Sequence, residues 1–218
     1  VNNIRAVDVI SKKRSAVASV YITEPKEYTE AMSLFEDRKY SEAYTKFGEV
    51  AERYKKFQPI KDNHHTLAGF YQLECLRKQL KTAELVKAVA DYRTENLIRP
   101  DLLKQVEVYK FWEAVNSKAW ARLDRLAGEW RTKRVPISQR AQISYCHALA
   151  LEGLDRKFEA LNMFGHAMTD DYPKSEEILR ESAYGALRVY LSFPEVATAM
   201  KLWKTPDEDI NSSGYRLL

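Results

Sequence analysis

The stretch PKEYTEAMSLFEDRKYSEAYTKFGEVAERYKKF, residues 25–57, decides the fold of this chain. Its apolar residues recur at intervals of three and four, which is the period of an α-helix with one buried face. The proline at its start suits a first helical turn, and the charged run Asp37-Arg38-Lys39 interrupts the pattern. The stretch therefore predicts two helices, over 26–36 and 40–57, joined by a short turn.

The same two-helix unit recurs along the rest of the chain. Breaks at Gln58-Pro59, Arg99-Pro100, Asn116 and Gly153-Leu154-Asp155 separate the periodic segments. The sustained alternation of β-branched residues that is typical of strands is missing. The pattern predicts four more helix pairs: 63–78 with 81–95, 101–115 with 117–133, 137–151 with 156–171, and 174–191 with 194–203.

The spacing of small and apolar residues in the second helices indicates a repeat. Ala43, Ala83, Leu123 and Ala160 occupy comparable points, 40, 40 and 37 residues apart. One helix pair cannot bury its apolar face alone, so pairs repeated at this length stack into an α-solenoid. We therefore predict an all-α solenoid of about five antiparallel helix pairs, with irregular repeats, over residues 23–218.

Residues 1–22 have no clear periodicity and form a separate N-terminal arm or linker in this interpretation. A short basic run, Lys12-Lys13-Arg14, lies between apolar residues. An extended arm, an added strand-like segment and a solvated tail all fit this stretch.

The first and fourth pairs resemble the tetratricopeptide repeat. Ala31, Tyr40, Ala43 and Phe47 carry the resemblance in the first pair; Ala148, Phe158, Ala160, Phe164, Ala167 and Tyr172-Pro173 carry it in the fourth, where Phe158 and Ala160 are one residue closer than usual. Close helix packing explains the alanines. The resemblance implies a right-handed solenoid whose first helices line a concave surface for a partner protein.

The run from Phe35 to Ala43, and the segment from Phe47 to Tyr54, are also similar to repeats of bacterial cell-envelope assembly proteins. This resemblance implies a scaffold or adaptor in the periplasm or at the envelope, with membrane contact only through its partners; the cytoplasm is the alternative compartment. The sequence begins with Val1 rather than Met, which is compatible with removal of a leader or of a longer N-terminal part.

The overall charge argues against a dedicated nucleic-acid binder. The chain has 35 basic and 31 acidic residues among 218, a net charge of +4. It has two cysteines, Cys75 and Cys146, 71 residues apart. We expect both to be buried thiols, with a disulfide between them as the alternative.

The sequence offers little that is typical of an enzyme, so we expect no catalysis, no metal and no cofactor. His64 and His65 are adjacent and point to different faces of a helix, which disfavours a metal pair. Phosphate-loop, dinucleotide-binding, metalloprotease and nucleophile-elbow motifs are all missing from the sequence.

The aromatic and basic middle of the chain is the first candidate for a binding surface. Trp112, Trp120 and Trp130 are interleaved with Arg122, Arg134 and other basic residues. Three interpretations remain open: tryptophans filling the core, a groove that anchors a peptide and pairs with its carboxylates, and stacking of single-stranded nucleic acid. The predicted partner-binding residues are Tyr71, Gln72, Lys78, Lys110, Trp112, Glu113, Trp120, Arg122, Trp130, Arg134, Gln142 and Tyr145.

Overall fold

The computed structural model describes residues 23–130, 133–171 and 175–204, without the side chains of 202–204. Over these ranges the chain is helical and contains no strand, which confirms the all-α prediction for this part of the molecule. Residues 1–22 and Tyr172-Pro173 lie outside the described ranges. The helices are α1 Lys26–Glu36, α2 Tyr40–Tyr54, α3 His64–Lys78, α4 Thr82–Asp91, α5 Pro100–Asn116, α6 Trp120–Trp130, α7 Ile137–Gly153, α8 Lys157–Asp170, α9 Glu176–Leu191 and α10 Pro194–Lys204.

Several predicted helix ends were wrong by a few residues. The second helix stops at Tyr54, and a 3-10 turn, Lys55–Phe57, follows it. The helix predicted over 81–95 ends at Asp91 because Tyr92 is extended, with φ −75° and ψ 132°. The helix predicted from Ser117 begins at Trp120, since Lys118 has a φ of 51° that a right-handed helix does not accept.

In each of the first four helix pairs, a three-residue turn joins the two helices, and the four turns have the same geometry. Its middle residue has a positive φ: 61° at Arg38, 57° at Leu80, 51° at Lys118 and 59° at Asp155. The amide of Arg38 donates to Phe35 O at 3.0 Å and that of Lys39 donates to Leu34 O at 2.9 Å, and the other three turns repeat both bonds. This is the Schellman arrangement, which satisfies the last carbonyls of a helix.

Buried positions keep a fixed distance from these turns. Seven residues before each positive-φ residue, the side chain is buried: Ala31, Leu73, Phe111 and Ala148. Five residues after it, the side chain is fully buried: Ala43, Leu85, Leu123 and Ala160. The sequence register was therefore wrong in the second pair, where Leu85 and not the exposed Ala83 occupies the common position. The spacings become 42, 38 and 37 residues.

The described chain forms two compact units, and α3 contributes residues to both. The first unit comprises residues 23–72 and 93–98. Helix α1 packs on α2 there, and aromatic rings fill the contact. Phe47 and Tyr71 stack at 5.3 Å, and Tyr28 meets the edge of Phe47 at 5.8 Å. Ring pairs of this kind add stabilisation beyond the area they bury.

The second unit comprises residues 73–92, 99–130, 133–171 and 175–204. Helix α7 is its centre, because it packs against α5, α6, α8 and α9. Helices α8 and α9 approach closely at Gly185, where an added Cβ would lie 2.4 Å from Phe164 Cζ. Helix α10 packs on α9.

Candidate interaction surface

Two of the three predicted tryptophans lie in the interior of the second unit. Trp112 is 2% exposed and Trp130 is 5% exposed. Trp130 meets Phe111 edge to face at 5.5 Å, and Trp112 lies 6.0 Å from Tyr145, which is also buried. These positions favour the core-filling interpretation for both tryptophans, because neither ring is open to a ligand.

Gln142 is buried in a polar contact with α5. Its side-chain amide exchanges two hydrogen bonds with that of Gln105, at 3.0 and 3.1 Å. Trp112 Nε1 also donates to Gln142 Oε1, at 3.2 Å. A buried amide with satisfied donors and acceptors fixes how two helices meet. Gln142 thus holds α5 and α7 together in the interior.

The third tryptophan, Trp120, is half-buried against the end of α7. An added Cβ on Gly153 would lie 2.4 Å from Trp120 Nε1 and 2.5 Å from Cδ1. These distances are shorter than van der Waals contact. The indole of Trp120 therefore fills the space that a side chain at position 153 would need.

In the first unit, Tyr71 and Gln72 bond to their own neighbours. Both are half-buried. Tyr71 also meets Phe35 edge to face at 5.5 Å, and Gln72 Nε2 donates to Tyr44 O at 3.3 Å. Their exposed atoms keep them as candidates for partner contact.

The exposed members of the predicted set are charged. Lys110, Glu113, Arg122 and Arg134 are exposed, and Glu113 pairs with Arg122 at 3.2 Å. An exposed ion pair contributes little to stability, so these side chains can exchange partners at small cost. Of the four, Glu113 and Arg122 are thus brought together, as a polar pair.

Lys78 belongs to a buried cluster of charges that the sequence did not predict. Arg77 donates to both carboxylate oxygens of Glu74, at 2.9 and 2.7 Å, and to Glu177 at 2.9 Å. Lys78 lies 3.1 Å from Glu177, and Tyr109 donates to Glu74 at 2.7 Å. The cluster joins α3, α5 and α9 and balances two cations against two carboxylates.

Burial and pairing shift the pKa values of this cluster in opposite directions. Burial raises the pKa of the Glu74 carboxyl, but Arg77 and the Tyr109 hydroxyl outweigh burial, so the net shift is downward. Burial lowers the pKa of Arg77, yet Glu74 and Glu177 raise it overall. Burial and the neighbouring Arg77 lower the pKa of Lys78. The ionised cluster is therefore structural, and its charges are satisfied internally.

Both cysteines are buried thiols, and His147 is paired with a carboxylate. Cys75 and Cys146 are both free and buried, so the alternative of a disulfide was wrong. Burial raises the pKa of the Cys75 thiol to about 12 and raises that of Cys146 as well. His147 Nε2 lies 2.9 Å from Asp124, whose second oxygen accepts from Arg156 at 2.7 Å. The described residues contain no group of three or more His, Cys, Asp or Glu side chains that could hold a metal ion.

Among the described residues of the second unit, the large apolar side chain with the greatest exposure is Phe158, one of the residues that carry the repeat resemblance in the fourth pair. It is 78% exposed. Lys157, and not Phe158, occupies the position that Tyr40 and Trp120 hold, two residues after the positive-φ residue of the turn. The short spacing between Phe158 and Ala160 was the signal for this difference.

Phe158 is held in place on the surface by a defined neighbour. Its ring lies 4.8 Å from that of Phe193, which is half-buried. The preceding Lys157 donates to Ser192 O at 3.4 Å, and its ammonium lies 5.8 Å from the Phe193 ring. We call Phe158 and Phe193 the aromatic corner.

A second apolar surface runs along α9. Tyr184, Leu187, Tyr190 and Leu191 are 60, 53, 53 and 41% exposed. Tyr184, Leu187 and Leu191 also line a shallow, open hollow of about 510 Å³ together with Arg188 and Ser192. We call the four apolar residues the α9 stripe. The sequence periodicity could not show which apolar residues of α9 are exposed, because both faces of the helix contain apolar residues.

A comparison with protein-family models gives no match, and comparisons with the curated proteins and with the solved structures give none either. Among the described helices, none is long and apolar enough to cross a membrane.

Proposed function

We propose that this protein is a non-catalytic scaffold or adaptor built from tetratricopeptide-like helix pairs, and that it binds another protein. The recurring turn and the buried positions in phase with it support the repeat architecture. In such arrays the stacked repeats create an extended surface that binds partners. The twelve residues predicted from the sequence divide into interior and surface groups. The binding surface proposed here is therefore centred on other residues, those of the aromatic corner.

The aromatic corner is the observation that carries the proposal. A large ring that is 78% exposed costs free energy in water, which binding recovers. Contact with Phe193 limits the motion of Phe158, so less conformational entropy is lost when a partner covers it. Rigid aromatic side chains of this kind are frequent among the residues that dominate protein interfaces.

The partner surface that fits is a protein segment that presents an apolar side chain. The apolar side chain would cover Phe158. Beside the ring, Arg156 already pairs with Asp124 and Glu159, and Lys157 pairs with Asp155. These paired charges would form a polar rim that does not select a charged partner. Nucleic acid fits less well, since Trp112 and Trp130, the proposed stacking platforms, are buried.

The test is affinity capture followed by binding of purified components. Wild-type chain is compared with Phe158→Ser and with Ile98→Ser, a control at another side chain that is 51% exposed. We expect a protein that the wild type and the control retain and that Phe158→Ser loses. The purified partner should bind Phe158→Ser at least about tenfold more weakly. Equal binding of all three, or salt-dependent capture of nucleic acid alone, contradicts the proposal.

We further propose that the partner belongs to the bacterial cell envelope, on the resemblance of the first helix pair to envelope assembly repeats. Capture is therefore run in parallel with envelope and cytosolic extracts. A partner recovered from the cytosolic extract alone contradicts this compartment and leaves the binding role intact.

A further inference from the structure

The α9 stripe lies on the side of its helix opposite the packed side. Ile178, Gly185 and Val189 are buried, and at 3.6 residues per turn their mean direction is about 180° from that of the stripe. Helix α9 thus has two apolar faces. One packs within the second unit, and the stripe is exposed.

The charges at the edge of the stripe are already neutralised. Arg188 donates to both carboxylate oxygens of Glu152, at 2.6 Å each, and Arg180 Nε donates to Glu181 at 3.2 Å. A surface with unpaired cations would repel an identical copy and attract an acidic partner. Because these cations are paired, the stripe can meet its own copy without like-charge repulsion.

The size of the stripe suits a modest homodimer. Four side chains at about half exposure offer roughly 400 Å² of apolar surface per copy. The apolar part of an interface is usually a little more than half of its area. If the stripe is that apolar part, the stripe and its polar surroundings together would bury roughly 700 Å² on each copy. The total, about 1,400 Å², lies within the range of specific protein interfaces.

We propose that the α9 stripe is a homodimer interface, in which α9 of one copy packs antiparallel on α9 of a second copy. A two-fold axis passing between Leu187 and Arg188 places Tyr184 opposite Leu191 of the other copy. This register pairs the Tyr184 of each copy with Leu191 of the other and brings the two Leu187 side chains together near the axis. The open hollow beside Leu187 receives the Leu187 side chain of the second copy.

The mass of the chain in solution tests the interface. We expect sedimentation equilibrium to show a dimer with a dissociation constant in about the micromolar range. Leu187→Glu should weaken it at least about a hundredfold, because it buries two carboxylates at the axis. Ile137→Glu, at a side chain 55% exposed elsewhere in the second unit, is the matched control and should leave the dimer unchanged.

Cross-linking tests the register. Under mild oxidation, Leu187→Cys should give a disulfide-linked dimer, while Ile137→Cys should not; the native thiols are buried and do not compete. A chain that stays monomeric at millimolar concentration, or a dimer that Leu187→Glu leaves intact, overturns the proposal. So does a Leu187→Cys thiol that cross-links only to other proteins. Phe158→Ser should not change the dimer. The experiments can therefore contradict the partner-binding proposal and the dimer proposal independently of each other.

Discussion

Gly153 at the end of α7 lies against the indole of Trp120 at the start of α6, so closely that a Cβ at position 153 would be 2.4 Å from Nε1. This contact joins the second helix of one pair to the first helix of the next. Glycine is required there by the neighbouring ring, since no described glycine has a positive φ.

Gly153→Ala is therefore predicted to destabilise the protein by about 1–3 kcal/mol, as overpacking does elsewhere. Urea unfolding followed by circular dichroism measures the loss. The matched control is Gly128→Ala in α6, where nothing lies within 4 Å of the added methyl; it should stabilise by about 0.5–1 kcal/mol. In a Trp120→Leu background, Gly153→Ala should cost much less. A full cost in that background would show that the indole is not the obstacle.

The buried charge cluster predicts a large effect of one substitution. Arg77→Met leaves Glu74 and Glu177 buried without their main cation, which costs about 3–5 kcal/mol. Arg122→Met removes an arginine of an exposed ion pair and should cost less than about 1 kcal/mol. Unfolding free energies of the two variants make the comparison. Equal costs would mean that Arg77 contributes no more than a surface arginine.

The same cluster predicts how stability depends on pH. The pKa of Glu74 is lower in the folded than in the unfolded chain, where it is about 4.3. Its stabilisation is complete above that unfolded value and is lost as the pH falls through the folded pKa. Wild type should therefore lose stability faster than Glu74→Gln below about pH 4.3. Parallel pH profiles would contradict the ionised, paired state of Glu74.

The positive-φ turns predict that a lysine-to-glycine substitution raises the free energy of unfolding in a turn and lowers it inside a helix. Lys118→Gly relieves an unfavourable φ of 51° and should stabilise by up to about 1 kcal/mol. Lys110→Gly lies inside α5 and should destabilise by about 1 kcal/mol. Both side chains are exposed, so packing does not confuse the comparison. If both variants lose stability, the left-handed turn is not present in solution.

The two cysteines are predicted not to react with thiol reagents in the folded chain. The raised pKa values and the burial of Cys75 and Cys146 keep both as protonated thiols. We expect almost no reaction with a chromogenic disulfide at pH 8 in the folded chain, and two thiols after unfolding. Rapid release from the native chain would place a thiol at the surface.

The helices were predictable because their apolar period is strong, but the turns between them were less so. Left-handed turn positions usually contain glycine, whereas here they contain Arg38, Leu80, Lys118 and Asp155. Without a glycine signal, the repeat was aligned on Ala83 instead of Leu85. The turn hydrogen bonds corrected the register.

The candidate surface was less predictable than the fold. An aromatic residue in a helix is compatible with both burial and partner contact, and only packing decides between them. Trp112 and Trp130 are in the core and Phe158 is outside. The spacing of Phe158 from Ala160 was the one local sign of its position.

The binding role is tested most directly by placing a photo-reactive phenylalanine analogue at position 158 and irradiating the chain in envelope extract. Mass spectrometry of the adducts then identifies what covers the aromatic corner. We predict one protein adduct that the same analogue at position 98 does not give. Indiscriminate adducts at both positions, or none at position 158, would contradict a protein partner at Phe158.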